Sequence, residues 1–551
     1  MKIALIISGG GFQGLTLIRA LQQRDDVRVI VCDIYAENPT RYLCLDYRVA
    51  PSLSDEEAFS NFLLKTVESS RVDFVFPATA RELRTLSGLR TQTEAFGAQV
   101  AVSDRSLLET LLDKLKAYEW LKTTALPVPE ILDPADFAFD TPLFGRPREG
   151  WGGRDTIIAD NADDAQTHKS EWSNYVWTRW LPEFEEFSLD FAIGVNRKIS
   201  TITMRRRLRA SGGFAVVSES VADTTLQHLA DCVAQAIRNA GGRGLFNVQV
   251  LAPNKSEYFV SDINPRSGTS STHSLAEGIN LPGFFIDSAA AEAESEALPV
   301  RKMVRTARLL QDLSIPRLAR TPKAVIFDLD DTLVDHKLWM LGKIEAIYAK
   351  CFANVVSESE FLLCAARLID EGVRSDLIDR LFAELSLPSN LRNSVIQAYR
   401  EATVSDTPLF SDVDPTLTAL KEKGFLIAVV TDNPPSTQRS KVERAPILNR
   451  LDAIVYTREH GGEKPHERGF IQAAHLLSLE PSQLIMVGDS YFRDGVGAMR
   501  AGYLHALIVR RNGTFLNHHT GIANRLALNT AKHIDFVDSL TSVYHTCSFY
   551  E

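Results

Sequence analysis

Short apolar runs recur in two blocks of the chain. In the first block "KIALIIS", "VRVIVCD", "VDFVFPA" and "AQVAVS" are bounded by turn residues, and "LTLIRALQQR" between the first two has helical spacing. Strand–helix alternation predicts parallel pairing with right-handed crossovers. The second block starts at Lys323 and repeats the pattern in "AVIFD", "FLIAVVT", "LDAIVYT", "QLIMVGD" and "HALIV". Between its first two strands lies an insert of about 75 residues with helical periodicity, for example "FLLCAARLIDEGVRSDLIDRLFAEL", which predicts a helical domain inserted into a sheet domain. From about residue 110 to 300 the pattern changes to longer amphipathic strands with glycine-rich breaks, such as "PLFGRPREGWGGRD", "EEFSLDFAIG", "KISTITM" and "LFNVQVLAP". Residues 301–322 carry basic residues and two prolines without clear alternation, and are expected to be a linker or a final capping segment.

Composition narrows the class. A chain of 551 residues exceeds one ordinary core, so two to four domains are expected. Hydrophobic content of 45% and charged content of 24% fit a soluble globular protein. A net charge of −10 argues against a general nucleic-acid binder, and the short basic run "MRRRLRA" does not overturn that. The six cysteines are scattered, with no CxxC pair, as expected for reduced thiols in a cytoplasmic protein. "MKIALII" is too short for an export signal, and no run of 18 apolar residues suggests a membrane partner.

Candidate chemistry then enters at the strand ends. "FDLDDTLVD" places Asp328 and Asp330 two apart, directly after an apolar strand. Thr431 ends "VVT", Lys464 sits in "GGEKP", and "VGDSYFRD" supplies Asp489 and Asp494. Each group falls at or just past the carboxyl end of an expected parallel strand, the edge where open α/β sheets bind ligands. Carboxylates so crowded raise one another's pKa unless a cation such as Mg²⁺ joins them. A carboxylate beside Mg²⁺ can attack phosphorus, and a second can protonate the leaving oxygen and then activate water. Thr431 and Lys464 would donate to the phosphoryl oxygens.

"DLDDT", "VVTDN", "EKP" and "GDSYFRD" resemble, in order, the four motifs of haloacid dehalogenase-type phosphatases, and the insert after the first resembles that family's helical cap. The resemblance covers roughly 323–515. It implies Asp328 as nucleophile and Asp330 as acid/base, with Mg²⁺ on Asp328, Asp489 and the backbone carbonyl of Asp330. It leaves open whether Asp494 holds a metal-bound water or Lys464. Asp331, Asp335 and His336 either face the cap or are solvated.

The first half carries a different set. "SGGGFQG" spaces Gly9, Gly11 and Gly14 as GxGxxG after a strand, with Asp33 closing the next one. Alone this suggests a dinucleotide fold, but no hydride-transfer constellation follows. "GRPREGWGGRD" joins glycine-rich backbone to arginines, a pairing suited to phosphates. "LFNVQV" and "SDINPRSGTSS" offer Gln249, Asp262 and Asn264 as oxygen ligands. Asp262 and Asn264 lie two apart on one strand face, with Arg266 following on the same side.

This order resembles the ATP-grasp fold, in the style of carbamoyl-phosphate synthase halves and related amino-acid ligases, over about 1–300. "DINPRSGTSS" is its most specific part, and "DKLKAYEWLKTTALPVPEI" fits the lead-in helix and strand and brings in Lys114. The resemblance implies that "GGGFQG" belongs to a preceding Rossmann-like domain. It implies ATP bound by Lys114, Arg146, the backbone of Arg179 to Leu181, and Glu186, with Glu185 as the competing ribose residue. Mg²⁺ would sit on Gln249, Asp262 and Asn264, and Arg266 would steady an acyl phosphate. The sequence departs from the family in three places: Arg146 replaces a common lysine, Asp262 a glutamate, and Thr178 and Arg179 the usual adenine-side residues. Arg205 and Arg207 resemble the family's basic strand near substrate or form a solvated face. Trp151 packs on substrate or on the loop base.

The expected architecture is α/β throughout: a pre-ATP-grasp Rossmann-like domain (1–110), an ATP-grasp α+β domain (111–300), the linker, a Rossmann-like phosphatase domain (323–515, cap about 336–407) and a C-terminal extension (516–551). The expected function is bifunctional: ATP-dependent carboxylate–amine ligation through an acyl phosphate, and Mg²⁺-dependent phosphate-ester hydrolysis. The alternative is a phosphatase with a catalytically silent, nucleotide-binding ATP-grasp module. The expected partners are a small carboxylate, an amine and a phosphorylated substrate, and a homo-oligomer remains open.

Overall fold

The computed structural model describes residues 1–24, 26–136, 142–150, 153, 155–254, 257–290, 301–309, 312–353, 355–511 and 533–548. The chain forms two compact units, Met1–Gln311 and Asp312–Glu551. Among the described residues no helix is long and apolar enough to cross a membrane.

In the first unit, the leading apolar runs become β1 (Lys2–Ile7), β2 (Val27–Asp33), β3 (Asp46–Val49), β4 (Phe74–Pro77) and β5 (Gln99–Val100). They pair in parallel in the order β3-β2-β1-β4-β5. Successive side chains of β1 enter opposite cores: Ala4 and Ile6 one, Leu5 and Ile7 the other. That double burial is why the strand reads as an unbroken apolar run. Strand order reverses between β1 and β4, which opens a crevice beyond their carboxyl ends.

The rest of this unit is antiparallel. β6 (Leu143–Pro147), β7 (Ile157–Ala159) and β8 (Tyr175–Arg179) form a small sheet in the order β7-β6-β8. β9 (Glu185–Ile193), β10 (Thr203–Ser211), β11 (Phe214–Ser220), β12 (Gly244–Asn254), β13 (Glu257–Asn264) and β14 (Arg305–Ala307) form a larger one in the order β13-β12-β9-β10-β11-β14. The edge strands β3 and β14 were not expected from the sequence. Both are short and carry charged residues, so neither shows the pattern of a buried run. β14 pairs with β11, so part of 301–322 is a sheet edge. "KISTITM" yields strand only from Thr203.

In the second unit β15 (Ala324–Phe327), β16 (Leu426–Thr431), β17 (Ala453–Tyr456), β18 (Leu484–Gly488), β19 (His505–Val509) and β20 (Ile534–Val537) form one parallel sheet, in the order β17-β16-β15-β18-β19-β20. Its switch point lies between β15 and β18. The segment read as a C-terminal extension supplies β20 and the Leu540–Cys547 helix, whose Leu540, Val543 and Cys547 enter the core. Among the described residues the cap insert forms four α-helices, His336–Cys351, Glu358–Asp370, Leu377–Glu384 and Arg392–Glu401. The quoted helical run breaks at Gly372, whose φ of +90° lies in the left-handed region.

The cap has its own core, in which Phe352 lies 4.8 Å from Phe361 and 6.0 Å from Phe382, centroid to centroid. Replacing Phe361, wholly buried there, with alanine is expected to cost about 3–5 kcal/mol. Hydrogen exchange should then quicken in the cap helices before it does in the parallel sheet.

Candidate functional site

In the second unit, β15 delivers Asp328 to the sheet's carboxyl edge, with its N–H on the Val487 carbonyl at 2.9 Å. Leu329 and Leu333 are anchored in the core. Between them Asp331 adopts a φ of +59°, and this turn brings Asp330 over the same edge. Lys464 comes from the loop after β17 and is buried, with its Nζ 2.6 Å from both Asp328 and Asp494. Burial disfavours its charge, but Asp328 and then Asp494 outweigh that and push its pKa up. Asp494 thus meets Lys464, the contact named in one of the two roles expected for it.

Asp328, Asp489 and Asp494 each bring a carboxylate oxygen to within 4.8 Å of the others. Burial pushes Asp328 up to about 7, against the pull of Lys464. Burial, then Asp494 and Asp328, push Asp489 well above the usual carboxylate range. Its Oδ2 is buried without a hydrogen-bond partner among the described residues. An orphaned oxygen beside two further carboxylates is a donor set that a hard divalent cation such as Mg²⁺ fits.

Asp330 is held by His336 and by side chains the sequence did not single out. It accepts from Lys441 at 2.5 Å, Gln438 at 2.8 Å and Asn433 at 3.1 Å, and His336 Nδ1 lies 3.2 Å away. Burial opposes its charge, but Lys441 and His336 prevail and hold it well below the usual range. The only available signal was the i, i+3 spacing of Gln438 and Lys441 on the Pro435–Glu443 helix. Thr431 is buried at the end of β16, its hydroxyl engaged only at 3.4 Å by the Asp432 carbonyl. Asp432 itself pairs with Arg493 and accepts from Thr457 at 2.5 Å. Asp331 is buried and meets Arg374 of the cap at 3.1 Å. Asp335 caps the first cap helix by accepting from the Leu338 N–H at 3.0 Å.

In the first unit, a cavity of about 1110 Å³ gathers most of the other expected residues. β12 and β13 pair Gln249 with Asp262 and Asn247 with Asn264. A chain of contacts runs along β13, with Asn264 donating to Asp262 at 3.1 Å and Arg266 to Asn264 at 2.9 Å. Burial works against the Arg266 charge, and Asp262 opposes that effect. Lys114 lines the cavity, its Nζ on the Gly150 carbonyl at 3.0 Å. Arg146 lines it too and donates to the Ser261 carbonyl at 2.8 Å.

Glu186 faces the cavity and pairs with Arg207, whereas Glu185 turns outward to Arg206 at 2.5 Å. Burial lifts the Glu186 pKa against Arg207. Arg205 and Arg207 point inward; Arg205 forms a fully buried pair with Asp190 at 3.0 Å. Asn247 also lines the cavity and donates to Asp190 at 2.7 Å. It was legible only as the residue two before Gln249, on the same strand face.

Two expected residues lie elsewhere. Neither Arg179 nor Leu181 is among the described residues that line the cavity. The Arg179 N–H donates to the Glu130 carbonyl at 3.1 Å and that of Trp180 to Pro142 at 2.9 Å, so these donors are already used. The Arg179 guanidinium meets Glu130 at 2.6 Å. Trp151 lies outside the described residues. The "GGGFQG" turn and Asp33 share the cavity, with Asp33 accepting from the Gly10 N–H at 2.8 Å. A Cβ on Gly14 would stand 1.9 Å from the Gly9 carbonyl oxygen, which is why that position must be glycine.

The family described as haloacid dehalogenase-like hydrolase matches residues 325–508, and the ATP-grasp domain matches 111–270. Glyceraldehyde 3-phosphate phosphatase of Methanopyrus kandleri is 32% identical over 197 residues, 34% of this chain and 84% of the relative. Human N-acylneuraminate-9-phosphatase is 26% identical over 208 residues, 35% of this chain and 84% of the relative. Among solved structures, N5-carboxyaminoimidazole synthetase of Staphylococcus aureus complexed with ADP is 18% identical, with a TM-score of 0.45, covering 56% of this chain and 82% of its own. The chain is an enzyme that joins an ATP-grasp domain to a phosphatase-type domain, and through the latter it belongs to the haloacid dehalogenase-like hydrolase family.

Proposed function

We propose that the second unit hydrolyses a phosphomonoester and that the first joins a carboxylate to an amine at the expense of ATP. The observation that carries the hydrolase reading is the orphaned oxygen of Asp489 beside Asp328 and Asp494, with Lys464 between the latter two. Asp328 attacks phosphorus, the alcohol leaves, and an aspartyl-phosphate forms on Asp328. Lys441 and Asp330 together hold the proton that the departing oxygen takes up, and Asp330 then receives a proton from the water that hydrolyses the intermediate. Lys464 and the Thr431 hydroxyl hold the phosphoryl oxygens. Bound Mg²⁺ would be held by Asp328, Asp489 and the Asp330 carbonyl, and would supply neutralisation of the phosphoryl charge.

The ligase reading rests on the run Asp262–Asn264–Arg266 facing Gln249 inside one cavity with Lys114 and Arg146. Lys114 and Arg146 hold ATP phosphates and Glu186 a ribose hydroxyl, and Gln249, Asp262 and Asn264 would hold the Mg²⁺ that neutralises the phosphate charge. The substrate carboxylate takes the γ-phosphoryl group to give an acyl phosphate and ADP, Arg266 steadies that acyl phosphate, and the amine displaces phosphate. The used adenine-side donors at Arg179 and Trp180 favour a second reading, in which this half binds nucleotide without turning it over. Release of ADP that depends on both an added acid and an added amine separates the two.

Asp328→Asn is expected to lower aryl-phosphate hydrolysis at least about a thousandfold, as for other lost nucleophiles, and to leave acid- and amine-dependent ADP release intact. Asn264→Ala should do the reverse. Loss of both activities in either folded variant would sink the two-site reading. In calorimetry, Asp489→Ala should remove Mg²⁺ binding by the second unit while circular dichroism stays unchanged.

A further inference from the structure

Lys343 is a buried basic residue with no anion beside it among the described residues. It is 5% exposed on the His336–Cys351 helix, and among the described residues no carboxylate or hydrogen-bond acceptor meets its ammonium. Its Nζ stands instead 5.0 Å from the ring centre of Trp339 and 4.5 Å from that of Tyr399, on the Arg392–Glu401 helix. Aromatic faces attract a cation but do not replace the hydration it has lost. Burial, aided by the charge of Lys441, pulls its pKa down to about 8.

The position of this cation is informative. His336, Trp339 and Lys343 are spaced i, i+3 and i+7, so they lie along one face of the helix. The rise from the first to the last is about 10 Å. The lower end of this ladder touches Asp330, where His336 Nδ1 lies 3.2 Å from the carboxylate and its ring stacks on Trp339 at 5.6 Å. Lys441 joins the lower end to the middle of the ladder, with its ammonium 2.5 Å from Asp330 and 3.9 Å from the Trp339 ring centre. If Asp330 serves the leaving oxygen, as the phosphatase reading has it, the leaving group passes along this face. Two ammonium groups stand along this face, and Asp330 is the one carboxylate among the described residues that pairs with either.

We propose that Lys343, framed by Trp339 and Tyr399, is a subsite for a second anionic group, a carboxylate or a phosphate, on the leaving alcohol of the phosphomonoester. The substrate is then a phosphorylated acid or a bisphosphate and not a neutral sugar phosphate. This rests on the phosphatase reading of the same site. Such an anion gives Lys343 the partner that the protein does not provide, and leaves Lys441 to Asp330.

The test compares three-carbon phosphomonoesters: 3-phosphoglycerate with a carboxylate, 1,3-propanediol bisphosphate with a second phosphate, and glycerol 3-phosphate with neither. The intact chain is expected to favour one of the first two over the third by about tenfold in kcat/KM, the size of one charge-assisted contact. Which of the two it favours identifies the anion. In Lys343→Met that ratio should fall to near one, whereas Lys343→Arg should keep most of it. Because the readout is a ratio, a general loss of activity does not move it. A wild-type ratio of one or less, or an undiminished ratio in Lys343→Met, would overturn the subsite alone. Equal losses on all three compounds in both variants would mark Lys343 as a packing residue and overturn it too. If the wild type cleaves neither these compounds nor an aryl phosphate, the phosphatase reading falls and takes the subsite with it.

Discussion

Carboxylates gathered at one sheet edge must each meet a cation or give up their charge. At an effective dielectric of about 20, two unit charges 4 Å apart repel by about 4 kcal/mol. The second unit meets this constraint by assigning basic side chains from distant parts of the chain. Lys464 stands between Asp328 and Asp494, Lys441 against Asp330, Arg493 against Asp432, and Arg374 against Asp331. Asp331 and Asp489 each keep a buried oxygen that nothing in the described protein satisfies, but Asp331 meets Arg374 through its other oxygen, whereas Asp489 has no basic partner among the described residues. The position reserved for an outside cation follows from this pairing pattern and from no single residue.

The first unit handles its polar interior differently. Its carboxylates and amides form chains along strand faces, as in Asn247–Asp190–Arg205 and Asp262–Asn264–Arg266. Antiparallel pairing at a fixed register holds these chains, so β12 and β13 position Gln249, Asn247, Asp262 and Asn264 together. A slip of one residue in either strand would turn that strand's two residues away from the cavity and break up the cluster.

Much of this was legible in the sequence because strand ends and ligands are local features. "AVIFD" both makes a buried strand and ends in the nucleophile candidate, so one pattern locates both. Strands that the sequence analysis did not name, such as β3, β14 and β20, are short or at sheet edges and lack a strong apolar run. The side chains that hold Asp330 were hidden for another reason. Lys441 and Gln438 lie 111 and 108 residues away in sequence, and only packing brings them near. The backbone donors expected at Arg179 and Trp180 are taken by the Glu130 and Pro142 carbonyls, partners that lie far away in sequence and could not be read from it. Glu186 and Glu185, adjacent and chemically alike, were separated only once alternation along β9 turned one inward.

The shared cavity of the first unit bears on where this protein can be cut. The glycine turn after β1 and Asp33 at the end of β2 belong to the same enclosure as Lys114, Asp262 and Asn264. A fragment starting near residue 111 would begin at a tidy composition boundary yet carry half a wall. The contact boundary falls instead between Gln311 and Asp312. Truncated forms of the protein, and any recombination that reuses this ligase-type module, should respect that later junction.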